Sequence, residues 1–257
     1  MEAIILAAGY GTRLTGDAHK ADRKTKNIIL TKPKPLLPIK GKPIIEHIIS
    51  QINKLNEVDE IAIITNNVYY NQFEDWLKNY KHKKSIKIIN DFTSSNEARL
   101  GAIKDMQLVI KKEKIDDDCL VIAGDNLTNI NLREFVDFSK QKNSTIIAAR
   151  DVGNKLSIKG RYGMIKVDKD DKIVYFEEKP ENPTSSLAST AIYLFKRKDL
   201  NLIGEYLDTT NHHDAPGYFI AWLYKKTNVY AFIFDTNKSL WFDIGRLNQY
   251  QKAEEKW

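Results

Sequence analysis

Apolar runs of strand length alternate with segments of helical period up to about residue 150, and this alternation restricts the fold more than any other feature. It is typical of a largely parallel β-sheet flanked by helices, because parallel strands need crossover connections. Ile44, Ile48 and Ile52, for example, recur on one face of a predicted helix. The predicted strands are residues 3–8, 60–65, 86–90, 120–124 and 145–150, and further helices are predicted near 69–80, 98–110 and 132–142.

The pattern changes after about residue 150. Two short alternating runs, 162–167 and 173–178, are joined by a polar turn and predict an antiparallel hairpin. Strands at 187–195 and 229–234 and helices near 198–207 and 218–225 follow. The sequence therefore predicts one α/β domain over residues 1–257, a Rossmann-like open, mostly parallel sheet flanked by helices, with a small antiparallel part in its second half. The two halves cover about 1–150 and 151–257.

Charge and composition exclude several classes of protein. The formal net charge is +6, but the lysines are spread along the chain, so we expect a small phosphorylated ligand rather than nucleic acid. No apolar run is long enough to span a membrane, and no membrane partner is expected. The one cysteine, Cys119, has no partner for an internal disulfide, and the N-terminus lacks the pattern of a signal peptide. A cytoplasmic location is expected.

A glycine loop follows the first predicted strand, with the sequence Leu-Ala-Ala-Gly-Tyr-Gly-Thr-Arg-Leu at residues 6–14. Open α/β sheets bind ligands beyond the carboxyl ends of their strands, and a glycine loop there presents backbone N–H groups to phosphate oxygens. Arg13 adds a planar cation suited to a diphosphate. Leu14 replaces the third glycine of the dinucleotide fingerprint, and no Walker Gly-Lys-Ser/Thr follows. An ordinary tight turn is the alternative.

A second segment makes the motif pattern specific to one family. It has the sequence Lys-Pro-Lys-Pro-Leu-Leu-Pro-Ile-Lys-Gly-Lys-Pro at 32–43. Together with the glycine loop it resembles the signature of the sugar-1-phosphate nucleotidyltransferases. Further landmarks of that family follow in the expected order, and the resemblance covers residues 2 to about 247. They are Ala-Gly-Asp-Asn at 123–126, Arg-Tyr-Gly at 161–163, Phe-Glu-Glu-Lys-Pro at 176–180 and Trp-Phe-Asp-Ile-Gly at 241–245.

The resemblance implies a set of site residues. It implies that Asp125 and Asp243 hold Mg²⁺, whose preferred ligands are hard oxygens. It implies catalytic roles for Arg13, Lys34 and Lys179 around the reacting phosphates. The implied nucleotide-binding residues are Ala8, Gly9, Gly11, Thr12, Arg13, Ser95 and Asn96, and the implied sugar-phosphate-binding residues are Asn126, Tyr162, Gly163, Glu178, Lys179 and Thr190.

The implied reaction is in-line attack of a sugar 1-phosphate on the α-phosphorus of a nucleoside triphosphate, with release of pyrophosphate. Glucose 1-phosphate with dTTP or UTP is the expected pair. A cytidylyltransferase acting on phosphocholine, a polyol phosphate or a phosphonate is an alternative. A catalytically idle, nucleotide-sugar-sensing subunit is another, against which the intact set of charged residues argues. Taken singly, Asp125 or Asp243 could instead cap a helix, and the sequence leaves a homo-oligomer open.

Two departures from the family pattern stand out. Arg13 and Lys34 are 21 positions apart, about twice the usual gap, so a segment around 16–31 must be accommodated. We expect this segment to be a mobile loop that closes over the triphosphate, because residues 16–20 offer little apolar surface to bury. Residues 93–102 replace the family's Gln-x-x-Pro-x-Gly-Leu, which leaves the base undefined. His212-His213-Asp214 is interpreted as a polar loop rather than a metal site.

Overall fold

A nine-stranded β-sheet forms the centre of the computed structural model, which describes residues 1–257. Its strands run in the order β10-β9-β11-β6-β1-β4-β5, and β8 pairs with β11 and with β12. These strands are β1 (Glu2–Leu6), β4 (Glu60–Thr65), β5 (Ser85–Asn90), β6 (Cys119–Ala123), β8 (Thr145–Asp151), β9 (Gly163–Val167), β10 (Ile173–Glu178), β11 (Leu187–Phe195) and β12 (Val229–Ile233). Two small ribbons pair β2 (Pro38–Ile39) with β3 (Lys42–Pro43), and β7 (Asn126–Thr128) with β13 (Trp241–Asp243).

The sheet is mostly parallel, as predicted. Strands β5, β4, β1 and β6 are mutually parallel, β8 is parallel to β12, and β11 is antiparallel to β6, β8 and β9. Only β10 and β11 therefore run against the common direction. The predicted hairpin is confirmed as β9 and β10, which pair antiparallel. The sheet takes strands from both sides of residue 150, so the two halves share one set of backbone hydrogen bonds.

Helices cover both faces of the sheet. Successive side chains of a strand point to opposite faces, and apolar side chains on both faces need to be buried. In β1, Ala3 and Ile5 belong to one apolar cluster and Ile4 to the other, and all three are fully buried. The helices are α1 (Thr12–Asp17), α2 (Arg23–Thr31), α3 (Ile44–Ile52), α4 (Tyr70–Asn79), α5 (Ala102–Glu113), α6 (Leu132–Lys142), α7 (Arg197–Leu200), α8 (Leu202–Thr209), α9 (Pro216–Leu223) and α10 (Leu247–Lys256). No helix has the length and apolarity needed to cross a membrane.

Two helices differ most from their predicted bounds. The helix predicted over 98–110 begins only at Ala102, because Gly101 has φ +88°, a conformation outside the helical region. The helix predicted over 198–207 is divided at Asn201 into α7 and α8.

The segment around 16–31 forms helices rather than the expected loop. Helix α2 begins after Asp22, whose Oδ1 accepts hydrogen bonds from Lys24 N and Thr25 N at 2.9 and 3.1 Å, a normal N-cap. Ala18 and Ile29 anchor the segment, since both side chains are buried in the core. Closure of the segment over nucleotide stays a prediction.

Candidate active site

The ends of β1 and β6 lie side by side at the carboxyl edge of the sheet. Gly124 N donates to Leu6 O at 2.8 Å, which joins the loop after β6 to the start of the glycine loop. A Cβ at position 124 would lie 3.0 Å from both Leu6 O and Pro35 Cγ, so glycine permits this close approach. Three segments that are distant in sequence thus meet at one edge, the position at which open α/β sheets bind ligands.

A cavity of about 320 Å³ opens at this edge, within the size range of small-molecule sites. The structure brings most of the sequence-predicted site residues to its wall. These are Ala8, Gly9, Arg13, Asp125, Asn126, Tyr162, Gly163, Glu178, Lys179, Thr190 and Asp243. The other predicted residues, Gly11, Thr12, Lys34, Ser95 and Asn96, do not line it.

The two predicted metal ligands are brought together by the β7–β13 ribbon. Asn126 pairs with Asp243 in that ribbon, and Ile244 N donates to Asp125 O at 3.0 Å. Burial and the neighbouring negative charge of Asp125 raise the pKa of Asp243 to about 6. For Asp125, burial acts in the same direction, but the charge and hydrogen bond of Lys34 outweigh it and hold the pKa of Asp125 below its ordinary value. Lys34 Nζ lies 2.8 Å from Asp125 Oδ2.

The chemistry of this pair fits a hard divalent cation. No group of three or more His, Cys, Asp and Glu side chains is arranged to hold a metal ion. A divalent cation held by Asp125 and Asp243 would therefore take its remaining ligands from phosphate and water oxygens. Mg²⁺ in nucleotide sites is commonly held in this way, by one or two carboxylates together with substrate phosphates.

Two of the three predicted catalytic cations, Arg13 and Lys179, line the cavity, and the third, Lys34, lies beside it through its ion pair with Asp125. Arg13, on α1, is exposed, and a Cβ added at Gly245 would lie 3.3 Å from its Nη2. Lys34 approaches Gly11, where an added Cβ would lie 3.5 Å from Lys34 Cγ. Lys179, just after β10, has φ +51°, and its N–H donates to Tyr162 O at 3.1 Å. The site therefore concentrates positive charge next to two carboxylates.

Glu178 occupies a slot formed by two glycines. Its side chain is 8% exposed, and a Cβ added at Gly163 or Gly217 would lie 2.9 or 1.9 Å from Glu178 Oε2. Burial raises the pKa of Glu178 to about 7 although Lys179 Nζ, 3.8 Å from Oε1, acts in the opposite direction. Any side chain at position 217 would displace this carboxylate.

Several predicted sugar contacts are engaged within the protein. Asn126 Nδ2 donates to Asp125 Oδ1 at 3.1 Å, and its Oδ1 accepts from Trp241 Nε1 at 2.7 Å. Thr190 Oγ1 donates to Ala148 O at 2.9 Å. These side chains hold the cavity wall in place, whereas their contacts with a sugar stay predictions.

The cavity wall also includes residues outside the predicted set, among them Arg99, Asp105, Asp214 and Gly217. Arg99 Nε donates to Asp214 Oδ1 at 2.7 Å, and Arg99 Nη1 donates to Asn96 O at the same distance. Asn96, predicted near the base, therefore connects to the cavity through Arg99.

The family model for nucleotidyl transferases matches residues 2–257. The chain belongs to this family. A bifunctional protein GlmU of Methanocaldococcus jannaschii is 33% identical over 79% of the chain, which covers 42% of that protein. The chain itself spans about half the length of these curated relatives.

Two solved structures share the fold of this family member. A Bacillus anthracis protein described as a glucose-1-phosphate thymidylyltransferase has a TM-score of 0.79 and 24% identity, over 99% of this chain and 94% of that one. A UDP-glucose pyrophosphorylase in complex with UDP-glucose has a TM-score of 0.77 and 20% identity, over 99% and 97% of the two chains. These structures show the shared fold, and the family model together with the curated relatives confirms the resemblance inferred from the ordered motifs.

Proposed function

We propose that the protein is a Mg²⁺-dependent nucleotidyltransferase that joins a nucleoside monophosphate to a sugar 1-phosphate and releases pyrophosphate. The observation that carries the proposal is the juxtaposition of Asp125 and Asp243 at the cavity edge that also carries the glycine loop and Arg13. Two carboxylates beside a group of cations suit a reaction in which phosphate charge must be held and neutralised.

In the proposed reaction a phosphate oxygen of the acceptor forms a bond to the α-phosphorus. The bond from that phosphorus to the bridging oxygen breaks, and pyrophosphate leaves with the electron pair. No protein nucleophile takes part, so positioning and charge neutralisation supply the rate. Mg²⁺ bound to Asp125 and Asp243 would neutralise developing phosphate charge. Arg13 binds the leaving pyrophosphate, while Lys34 and Lys179 bind the transferred and acceptor phosphates.

Glucose 1-phosphate with dTTP or UTP is the first pair to test. The buried carboxyl group of Glu178 supports a polyhydroxylated acceptor, because it accepts hydrogen bonds from hydroxyl groups in either protonation state. The structural neighbours are described as acting on glucose 1-phosphate or binding UDP-glucose. Activity should be sought as pyrophosphate release over a grid of nucleoside triphosphates and acceptors with Mg²⁺. The grid includes CTP with phosphocholine. Failure of every pair to release pyrophosphate would refute the proposal.

Gly217→Ala should weaken acceptor binding about tenfold or more, an estimate based on loss of hydrogen bonds to a charged group. The new methyl group would meet Glu178 Oε2 at 1.9 Å and force this carboxylate out of its slot. The acceptor KM would rise more than the nucleotide KM, since Glu178 is assigned to the acceptor. Steady-state kinetics with each substrate varied in turn would measure both constants.

Gly204→Ala is the matched control. Gly204 lies on α8, and an added Cβ there meets nothing closer than Gln107 Nε2 at 3.8 Å. This variant should keep both KM values. An unchanged acceptor KM in Gly217→Ala would show that the Glu178 slot does not bind the acceptor.

A further inference from the structure

Asp105 is a buried carboxylate in the cavity for which the proposed reaction has assigned no role. It lies in the first turns of α5, is only 5% exposed and lines the cavity. Its Oδ1 is buried without a hydrogen-bond partner. An unpaired buried polar atom destabilises the folded state, so its presence in a ligand cavity points to a partner that arrives with the ligand.

The backbone around Asp105 is held by the segment that precedes α9. Ile103 N donates to His213 O at 3.0 Å, and Ala102 N donates to Asp214 O at 3.3 Å. A Cβ at Gly101 would lie 2.6 Å from His213 O, so glycine is needed for this contact. The start of α5 therefore packs directly on the segment that carries Asp214. Three residues later this segment reaches Gly217, which forms one wall of the Glu178 slot.

The charges around Asp105 leave it without a cation. Burial and the negative charges of Asp91 and Asp214 raise the pKa of Asp105 to about 8. The nearby guanidinium of Arg99 is paired with Asp214. The Lys179 ammonium lies beside Glu178 instead.

We propose that Asp105 is a specificity-determining residue that binds a hydrogen-bond donor, a hydroxyl or amino group, of the acceptor. This inference rests on the proposed function. The acceptor is favoured over the nucleotide because the first turn of α5 is hydrogen-bonded to His213 O and Asp214 O, and Gly217 of the Glu178 slot follows three residues later. Asp105, Asp214 and Glu178 all line the cavity, and a donor of the acceptor placed against Asp105 satisfies the orphaned oxygen.

The test compares wild type with Asp105→Asn and Asp105→Ala. The probe is the sugar 1-phosphate that the wild type turns over, together with its monodeoxy and monoamino derivatives. Calorimetric titration of each, with an α,β-methylene triphosphate analogue present, gives acceptor affinity without turnover. We expect one monodeoxy derivative to bind the wild type about tenfold or more weakly than the parent, a typical penalty for leaving a buried polar group unpaired. Asp105→Ala should remove that discrimination and leave nucleotide affinity within about twofold.

Thermal unfolding supplies a second readout. In the unfolded wild type, Asp105 loses its proton above its ordinary pKa of 3.8. The folded chain keeps that proton up to a pKa of about 8, so the free energy of unfolding falls as the pH rises from about 4 towards 8. Asp105→Asn cannot ionise, and its Tm should exceed that of the wild type by more at pH 8.5 than at pH 6. Asp75→Asn, on the exposed surface of α4, is the control and should show no such difference.

The outcomes separate the two proposals. The role of Asp105 is overturned, and the proposed function stands, if the wild type releases pyrophosphate and Asp105→Ala shows the same preference among acceptors as the wild type. A change confined to nucleotide affinity also overturns it, as does a Tm of Asp105→Asn below the wild type at both pH values. Absence of pyrophosphate release and of acceptor binding in the wild type refutes the proposed function itself.

Discussion

Asp125→Asn and Asp243→Asn should each lower kcat by about a hundredfold or more, the usual scale for loss of one charge-stabilising group at a reacting centre. Both carboxylates line the cavity, where Asp243 pairs with Asn126 in the β7–β13 ribbon and Asp125 immediately precedes that ribbon. An amide keeps the shape of the side chain but removes the negative charge needed by Mg²⁺. In Asp125→Asn the Lys34 ammonium also loses its ionised partner. Pyrophosphate release at saturating substrates measures the effect.

Folding and metal binding must be followed separately in these variants. Circular dichroism and thermal unfolding should show native folds, and Mn²⁺ titration in the presence of nucleotide should show weakened metal binding. Asp75→Asn is again the control, because exposed ion pairs such as Asp75–Lys78 contribute little. Near-wild-type kcat in both active-site variants would disprove the assignment of the metal ligands.

Arg13→Ala should lower kcat by about 10²- to 10³-fold, with a smaller change in the KM for the nucleotide. The leaving pyrophosphate gains negative charge as its bond to the α-phosphorus breaks, so a cation that binds it stabilises the transition state more than the ground state. Arg13 is exposed at the cavity, where its guanidinium is free to bind such an anion. Steady-state kinetics with the triphosphate varied would separate the two effects.

Two further variants make the Arg13 result specific. Arg13→Lys keeps the charge but not the planar fork and should recover only part of the rate. Arg197→Ala, which removes an exposed partner of Asp116, should behave like the wild type. A rise in nucleotide KM with unchanged kcat would show that Arg13 contributes only uniform binding.

The sheet was largely predictable, because its strands are short apolar runs bounded by polar turns. The strand predicted at 60–65 matches β4, and the hairpin was placed within one residue. The helical structure of the segment at 16–31 could not be predicted in the same way. Its burial depends on two isolated side chains, Ala18 and Ile29, that fit a surface formed by the rest of the fold. Local composition does not reveal such a fit. The N-cap at Asp22 was the one local signal of a helix there.

The site was predictable where its residues belong to contiguous motifs. Asp125 and Asp243 were selected from their motifs, and the register of β7 with β13 then brings them together. Asp105 and Gly217 were missed because each depends on a tertiary contact that no local pattern encodes. The need for glycine at 217 follows only from the position of Glu178 Oε2, which belongs to a different element. The base-reading region stays a prediction, with Ser95 outside the cavity wall.

The proposed reaction transfers the nucleoside monophosphate, and not another part of the triphosphate, to the acceptor. Parallel reactions with α-³²P- and γ-³²P-labelled triphosphate, glucose 1-phosphate and Mg²⁺ test it most directly. We expect the α label to enter a nucleotide sugar and the γ label to enter pyrophosphate, in equal amounts, and added pyrophosphate to reverse the transfer. Label from the γ position in the acceptor product, or release of inorganic phosphate in place of pyrophosphate, would contradict it.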